Sequence, residues 1–81
     1  MNDPAIPLSA LERKIITSCS VKPLGVKEMA QLFSIDYASG DMKRAITRLL
    51  QLQLIEYVVP EYNRSYAQRY RTTQKGKKYL Q

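Results

Sequence analysis

The stretch that decides how this chain folds is Asp41-Met-Lys-Arg-Ala-Ile-Thr-Arg-Leu-Leu-Gln51, followed two residues later by Leu54-Ile-Glu-Tyr-Val-Val59. In the first part Met42, Ala45, Ile46, Leu49 and Leu50 stand at i, i+3, i+4, i+7 and i+8, a complete apolar stripe for an α-helix. The opposite face carries Lys43, Arg44, Thr47, Arg48 and Gln51. At 100° per residue those five side chains spread over roughly 140°. Asp41 falls in the first turn, where the helix dipole favours an acid. After Gln53 the helical period ends. Leu54 to Val59 is rich in β-branched and aromatic residues and reads as a strand, which Pro60 stops.

Upstream, Ser9-Ala-Leu-Glu12 is a capping box, with a serine hydroxyl and a glutamate three residues apart. Leu8, Leu11, Ile15, Ile16 and Cys19 then line one face, which predicts a helix over about residues 10–19. Lys22-Pro-Leu-Gly25 breaks it. Val26, Met29, Ala30 and Phe33 restart the helical spacing over about residues 26–33, and residues 34–40 are turn and cap types. Residues 1–7 hold two prolines and no periodicity, and read as a flexible arm.

Downstream, Pro60-Glu-Tyr-Asn-Arg-Ser65 is polar and turn-prone, and Ala67-Gln-Arg-Tyr-Arg-Thr72 becomes extended again. Arg69 and Arg71 fall on one face of that strand and Tyr70 on the other. The two strands predict a hairpin with a loop of about six to eight residues. Thr73 can cap a last short helix holding Tyr79 and Leu80, within which Gly76 is a mild penalty. The order is three helices, a hairpin and a short C-terminal helix. That is the α+β winged helix-turn-helix, expected over residues 8–81 as one domain.

The 81 residues suffice for one modest core. One cysteine rules out an internal disulfide, and the absence of histidine removes Ser-His-Asp and Cys-His catalysis and the His-based metal sites. Cys19 reads as a small core residue. The carboxylates Asp36, Asp41, Glu56 and Glu61 form no recognisable pair, and no glycine-rich phosphate loop is present. An enzyme, a cofactor and a metal are therefore not expected. The start lacks the basic and apolar regions of a secretory signal, and no apolar run spans a bilayer, so a cytoplasmic location is expected. The net charge is +6, from 13 basic and 7 acidic residues. Residues 1–61 are balanced, so the whole excess lies in Arg64, Arg69, Arg71, Lys75, Lys77 and Lys78. A one-sided basic surface suits a polyanion.

Leu54-Ile55-Glu56 and Tyr70-Arg-Thr-Thr-Gln-Lys-Gly76 resemble the ending of many bacterial and archaeal winged-helix regulators. In those, a glycine-leucine-isoleucine-glutamate strand follows the recognition helix, and tyrosine-x-leucine-threonine-x-lysine-glycine closes the wing. The resemblance covers about residues 8–80. The stretch Pro60 to Arg71 is similar to the wing of the C-terminal winged-helix domain in RecG-related, Fic-like and Schlafen-type ATP-binding regulators. Two positions depart from the pattern. Gln53 replaces the usual glycine, which weighs against a tight turn requiring φ > 0. Thr72 replaces the usual leucine, which weakens that strand's core contact.

The resemblance implies duplex DNA as partner, read by the third helix in the major groove through Lys43, Arg44, Thr47, Arg48 and Gln51. The wing would bring Asn63, Arg64 and Ser65 to a phosphate or the minor groove, flanked by Arg69 and Arg71. Lys27, Lys77 and Lys78 are candidate phosphate contacts, with Arg13 and Lys14 as a weaker pair. Tyr62 and Tyr66 read as packing residues. The implied role is transcription regulation or the DNA-binding tail of a longer helicase-related, ATP-binding regulator. The alternative is a protein-interaction module that docks a partner, another domain of the parent protein, or a second copy as a homodimer. A membrane partner is not expected, because no helix pairs a basic face with bulky exposed apolar groups.

Overall fold

A computed structural model of the chain describes residues 7–36, 40–58 and 69–80. The first helix, α1 (Ala10–Val21), opens on the expected capping box. The Ser9 hydroxyl accepts the Glu12 N–H at 3.1 Å, and the Glu12 carboxylate accepts the Ser9 N–H at 2.9 Å. It runs two residues past the expected end, to Val21, and stops where Pro23 disfavours a helical residue before it. The second helix, α2 (Val26–Phe33), keeps its expected bounds. Glu28 closes its N-terminus, the carboxylate accepting the N–H of the cap residue Gly25 at 2.7 Å.

Both α2 and the third helix, α3 (Gly40–Gln51), end in the same way. Past α2, Ser34 is left-handed at φ 58°, and Ile35 donates back to the Ala30 carbonyl at 3.0 Å. Past α3, Gln53 is left-handed at φ 63°, Gln53 donates to Leu50 at 3.0 Å and Leu54 to Leu49 at 2.9 Å. That bond pair is a Schellman motif. The tight turn therefore forms without the glycine. Two backbone bonds and the burial of Leu49 and Leu54 outweigh the left-handed penalty of Gln53, about 1–2 kcal/mol.

The hairpin pairs β1 (Ile55–Tyr57) with β2 (Tyr70–Thr72) in antiparallel register, Ile55 opposite Thr72, Glu56 opposite Arg71 and Tyr57 opposite Tyr70. These strands are shorter than the extended runs of the sequence. At one end the Thr73 N–H still donates to the Leu54 carbonyl at 3.0 Å, in register with the ladder, before Thr73 turns to cap the last helix. Residues 59–68, with the expected loop, lie outside the described residues. Leu24, read from sequence only as part of a break, bridges to Tyr70 by two backbone hydrogen bonds of 3.0 and 2.8 Å and so adds a third extended segment.

Thr72 and Gly76 differ from their sequence readings. Thr72 is buried, and its hydroxyl donates to the Ile16 carbonyl at 2.6 Å, so the residue ties β2 to α1 instead of weakening it. Gly76 lies in the last helix, α4 (Gln74–Lys77), capped by Thr73 and followed by a 3-10 turn, Lys78–Leu80. It is buried. A Cβ there would overlap the Leu54 carbonyl oxygen and stand 2.7 Å from the Thr72 methyl. Glycine is thus required by a close approach, and the mild helix penalty is secondary. The core these elements enclose is built on Ile15, Ile16, Met29, Met42, Leu49, Leu54 and Ile55, all essentially inaccessible. No helix among the described residues is long and apolar enough to cross a membrane.

Candidate nucleic-acid interface

Because Met42, Ala45, Ile46 and Leu49 are drawn into the core, α3 must turn its polar face outward. Lys43, Arg44, Thr47 and Gln51 are exposed there, and with Arg48 and Leu52 they line a shallow surface groove. The third helix therefore presents the side chains that the sequence assigns to it, with one exception. Arg48 sits at the edge of the polar arc, against α1. Its guanidinium donates to the Glu12 carboxylate at 2.6 Å and to the Pro7 carbonyl at 3.2 Å. Arg44, one turn earlier, pairs with Asp41 on its own helix.

The two pairs differ in surroundings. The side chains of Arg44 and Asp41 are 75% and 73% exposed, so water screens them. Arg48 is 42% exposed, but Glu12 only 6%. Burial alone would raise the Glu12 pKa. The Ser9 N–H and the Arg48 charge and hydrogen bond together outweigh it, so the carboxyl stays below its ordinary value.

At the hairpin, Arg71 pairs with Glu56 across the strands at 2.7 Å, and Arg69 reaches Glu28 of α2 at 3.6 Å. Each of these two arginines, expected beside the wing, is thus held by an acid in this structure. The tip residues Asn63, Arg64 and Ser65 lie outside the described residues, as do Tyr62 and Tyr66. Lys27 is exposed in the first turn of α2, and Lys77 and Lys78 are exposed at the end of α4 with Lys75 beside them. Lys14 lies over the Phe33 ring, 6.0 Å from its centre. Of the arginine–acid pairs among the described residues, only Asp41–Arg44 has a spacing that sequence can reveal. The others join residues brought together by the fold.

Nucleophilic chemistry finds no footing at Cys19. The thiol is buried beside the Met29 sulfur at 3.6 Å, and burial pushes its pKa up to about 11, against a smaller opposing contribution from the Leu24 backbone. Burial also raises Tyr70, with Tyr57 and Cys19 adding to it; the Tyr57 and Tyr70 rings pack with centres 5.3 Å apart. No group of three or more His, Cys, Asp or Glu among the described residues could hold a metal ion.

No protein-family model matches the sequence, and no curated protein matches it. Solved structures do match the fold. A point mutant of ZitR from Lactococcus lactis is similar over 99% of this chain and 56% of its own, with a TM-score of 0.76 and 14% identity. The adhesin competence repressor AdcR from Streptococcus pyogenes is similar over 89% of this chain and 50% of its own, with a TM-score of 0.75 and 15% identity. Wild-type MarR from E. coli, in its apo form, is similar over 88% of this chain and 51% of its own, with a TM-score of 0.71 and 21% identity. This chain spans about half the length of each. The element order, the hairpin register and these likenesses agree on one architecture: the chain folds as a winged helix.

Proposed function

We propose that this chain binds duplex DNA, with α3 in the major groove and the hairpin beside it. The observation that carries the reading is the outer face of α3, where Lys43, Arg44, Thr47 and Gln51 stand exposed together and Asp41 is the one acid on that helix. Lysine and arginine match phosphates and guanine edges, and glutamine matches adenine. Asn63, Arg64, Ser65, Arg69 and Arg71 are the proposed wing contacts, and Lys27, Lys77 and Lys78 the proposed phosphate contacts. Residues 8–81 would be the binding domain and residues 1–7 an arm. The proposed role is transcription regulation in the cytoplasm, without enzymatic activity in this chain. The name of the AdcR repressor supports a regulatory role. The resemblance of residues 60–71 to RecG-related, Fic-like and Schlafen-type regulators supports the tail domain of a longer ATP-binding protein.

The test is a titration of labelled duplex at several salt concentrations with the wild type, Arg44→Ala and Lys43→Ala. Binding that weakens steeply with salt, and a slope reduced by about one for each variant, is expected of phosphate contacts. Weak binding that ignores both salt and variants points to the other reading, an interaction or dimerisation module. That second reading is favoured by Val21, 79% exposed at the end of α1, and Leu32, 62% exposed in the last turn of α2.

A further inference from the structure

We infer that Arg48 is a positioning residue, which ties α3 to the N-terminal end of α1 through Glu12 and Pro7 and does not itself touch DNA. The inference rests on the DNA-binding reading above and divides its recognition helix into two kinds of arginine. Arg48 donates from one nitrogen to the Glu12 carboxylate and from another to the Pro7 carbonyl, so both arms of the fork are engaged. Glu12 in turn caps α1 by accepting the Ser9 N–H with the same oxygen. A single guanidinium thereby joins the recognition helix, the cap of α1 and Pro7, two residues before that cap.

Moving Arg48 onto a phosphate would break this junction and leave a carboxylate that is almost entirely buried without its cation, beside a polyanion. Stranding a buried charge in that way is strongly unfavourable. Arg44 faces no such obstacle. Its partner Asp41 is largely exposed, so exchange of aspartate for phosphate loses little. Arg48 also stands at the edge of the polar arc of α3, on the side of α1, whereas Lys43, Thr47 and Gln51 lie away from that seam. The geometry suits a strut that sets the rotation of α3 and so the direction in which Gln51 and Thr47 point.

The experiment measures affinity for a labelled duplex against salt for the wild type, Lys43→Ala, Arg48→Ala, Arg48→Lys and Gln51→Ala, with circular dichroism to confirm folding. Lys43→Ala should reduce the salt slope by about one. Arg48→Ala should weaken binding by roughly three- to tenfold, about 0.6–1.4 kcal/mol, with the slope unchanged. Arg48→Lys should weaken it similarly, because an ammonium cannot fork onto Glu12 and Pro7 together; it also carries the test should Arg48→Ala unfold. Gln51→Ala should cost less affinity in the Arg48→Lys background than in the wild type, since a displaced helix no longer seats Gln51. A slope reduced by about one in Arg48→Ala, with Arg48→Lys binding like the wild type, would make Arg48 a phosphate contact and overturn the inference. So would unchanged binding in both variants, or a Gln51→Ala cost that is the same in both backgrounds. Failure of the DNA reading itself looks different: the wild type and Lys43→Ala then show no salt-dependent binding at all.

Discussion

The seam between α1 and α3 and the seam between β1 and α4 close the same core by opposite means. The first is ionic. Glu12, almost entirely buried, collects the Ser9 N–H and the Arg48 guanidinium, and the helices are held where those donors converge. The second is a matter of shape. Thr73 donates its hydroxyl to the Gln53 carbonyl at 2.7 Å and accepts the Gly76 N–H at 3.0 Å, while its own N–H donates to Leu54. These bonds draw α4 so near the chain that Gly76 has no room for a side chain. An ionic seam responds to pH and to the loss of one charge. A seam of close backbone contacts and neutral hydrogen bonds responds most to added volume.

The largest test of that contrast is Gly76→Ala. The new methyl meets backbone, which cannot swing aside, so the variant should lose about 3 kcal/mol of stability in urea unfolding. A loss below about 1 kcal/mol would mean that α4 shifts freely and that this seam is soft. The Glu12 seam should lose less and should do so with pH. Its folded-state pKa is depressed. The stabilisation is therefore fully present above the ordinary carboxylate range and disappears as pH falls through the folded value. Glu12→Gln should cost roughly 1–2 kcal/mol at neutral pH and flatten the acid limb of the stability curve. Equal slopes for wild type and variant in that limb would remove the ionic account.

Gln53 stands at the corner that connects the two seams, and its replacement should act in the opposite direction. Gln53→Gly relieves the left-handed penalty at a small entropic cost and should stabilise the fold by roughly 0.5–1 kcal/mol, seen as a higher melting temperature. Arg71→Ala should have the smallest effect. Its pairing with Glu56 is exposed on both sides, so a change under about 0.5 kcal/mol is expected in thermal unfolding. A larger loss would show that charge matters at the hairpin as it does between α1 and α3.

Much of this architecture is legible in the residues. The Ser9–Glu12 box, the stripe from Met42 to Leu50 and the Thr73 cap all formed where their spacing places them. The polar face of α3 was legible for the same reason, because the stripe that enters the core dictates which side chains remain outside. Signals of this kind operate within about four residues, so they survive without knowledge of the rest of the chain. The role of Arg48 was hidden because its partner lies 36 residues away. Nothing in the helical arc distinguishes a guanidinium that faces water from one that faces a neighbouring helix.

By itself, then, the sequence determined the helices, the strands, their order and the excess of positive charge toward the C-terminus, because local periodicity, capping and composition act along the chain. Tertiary structure alone decided that Leu24 would bridge to Tyr70, that the Thr72 hydroxyl would find Ile16, and that Gly76 would be required by the Leu54 carbonyl. It also decided which arginines meet acids and which charges stay open. Those outcomes depend on distances between elements far apart in the chain, which arise only when the helices pack and cross.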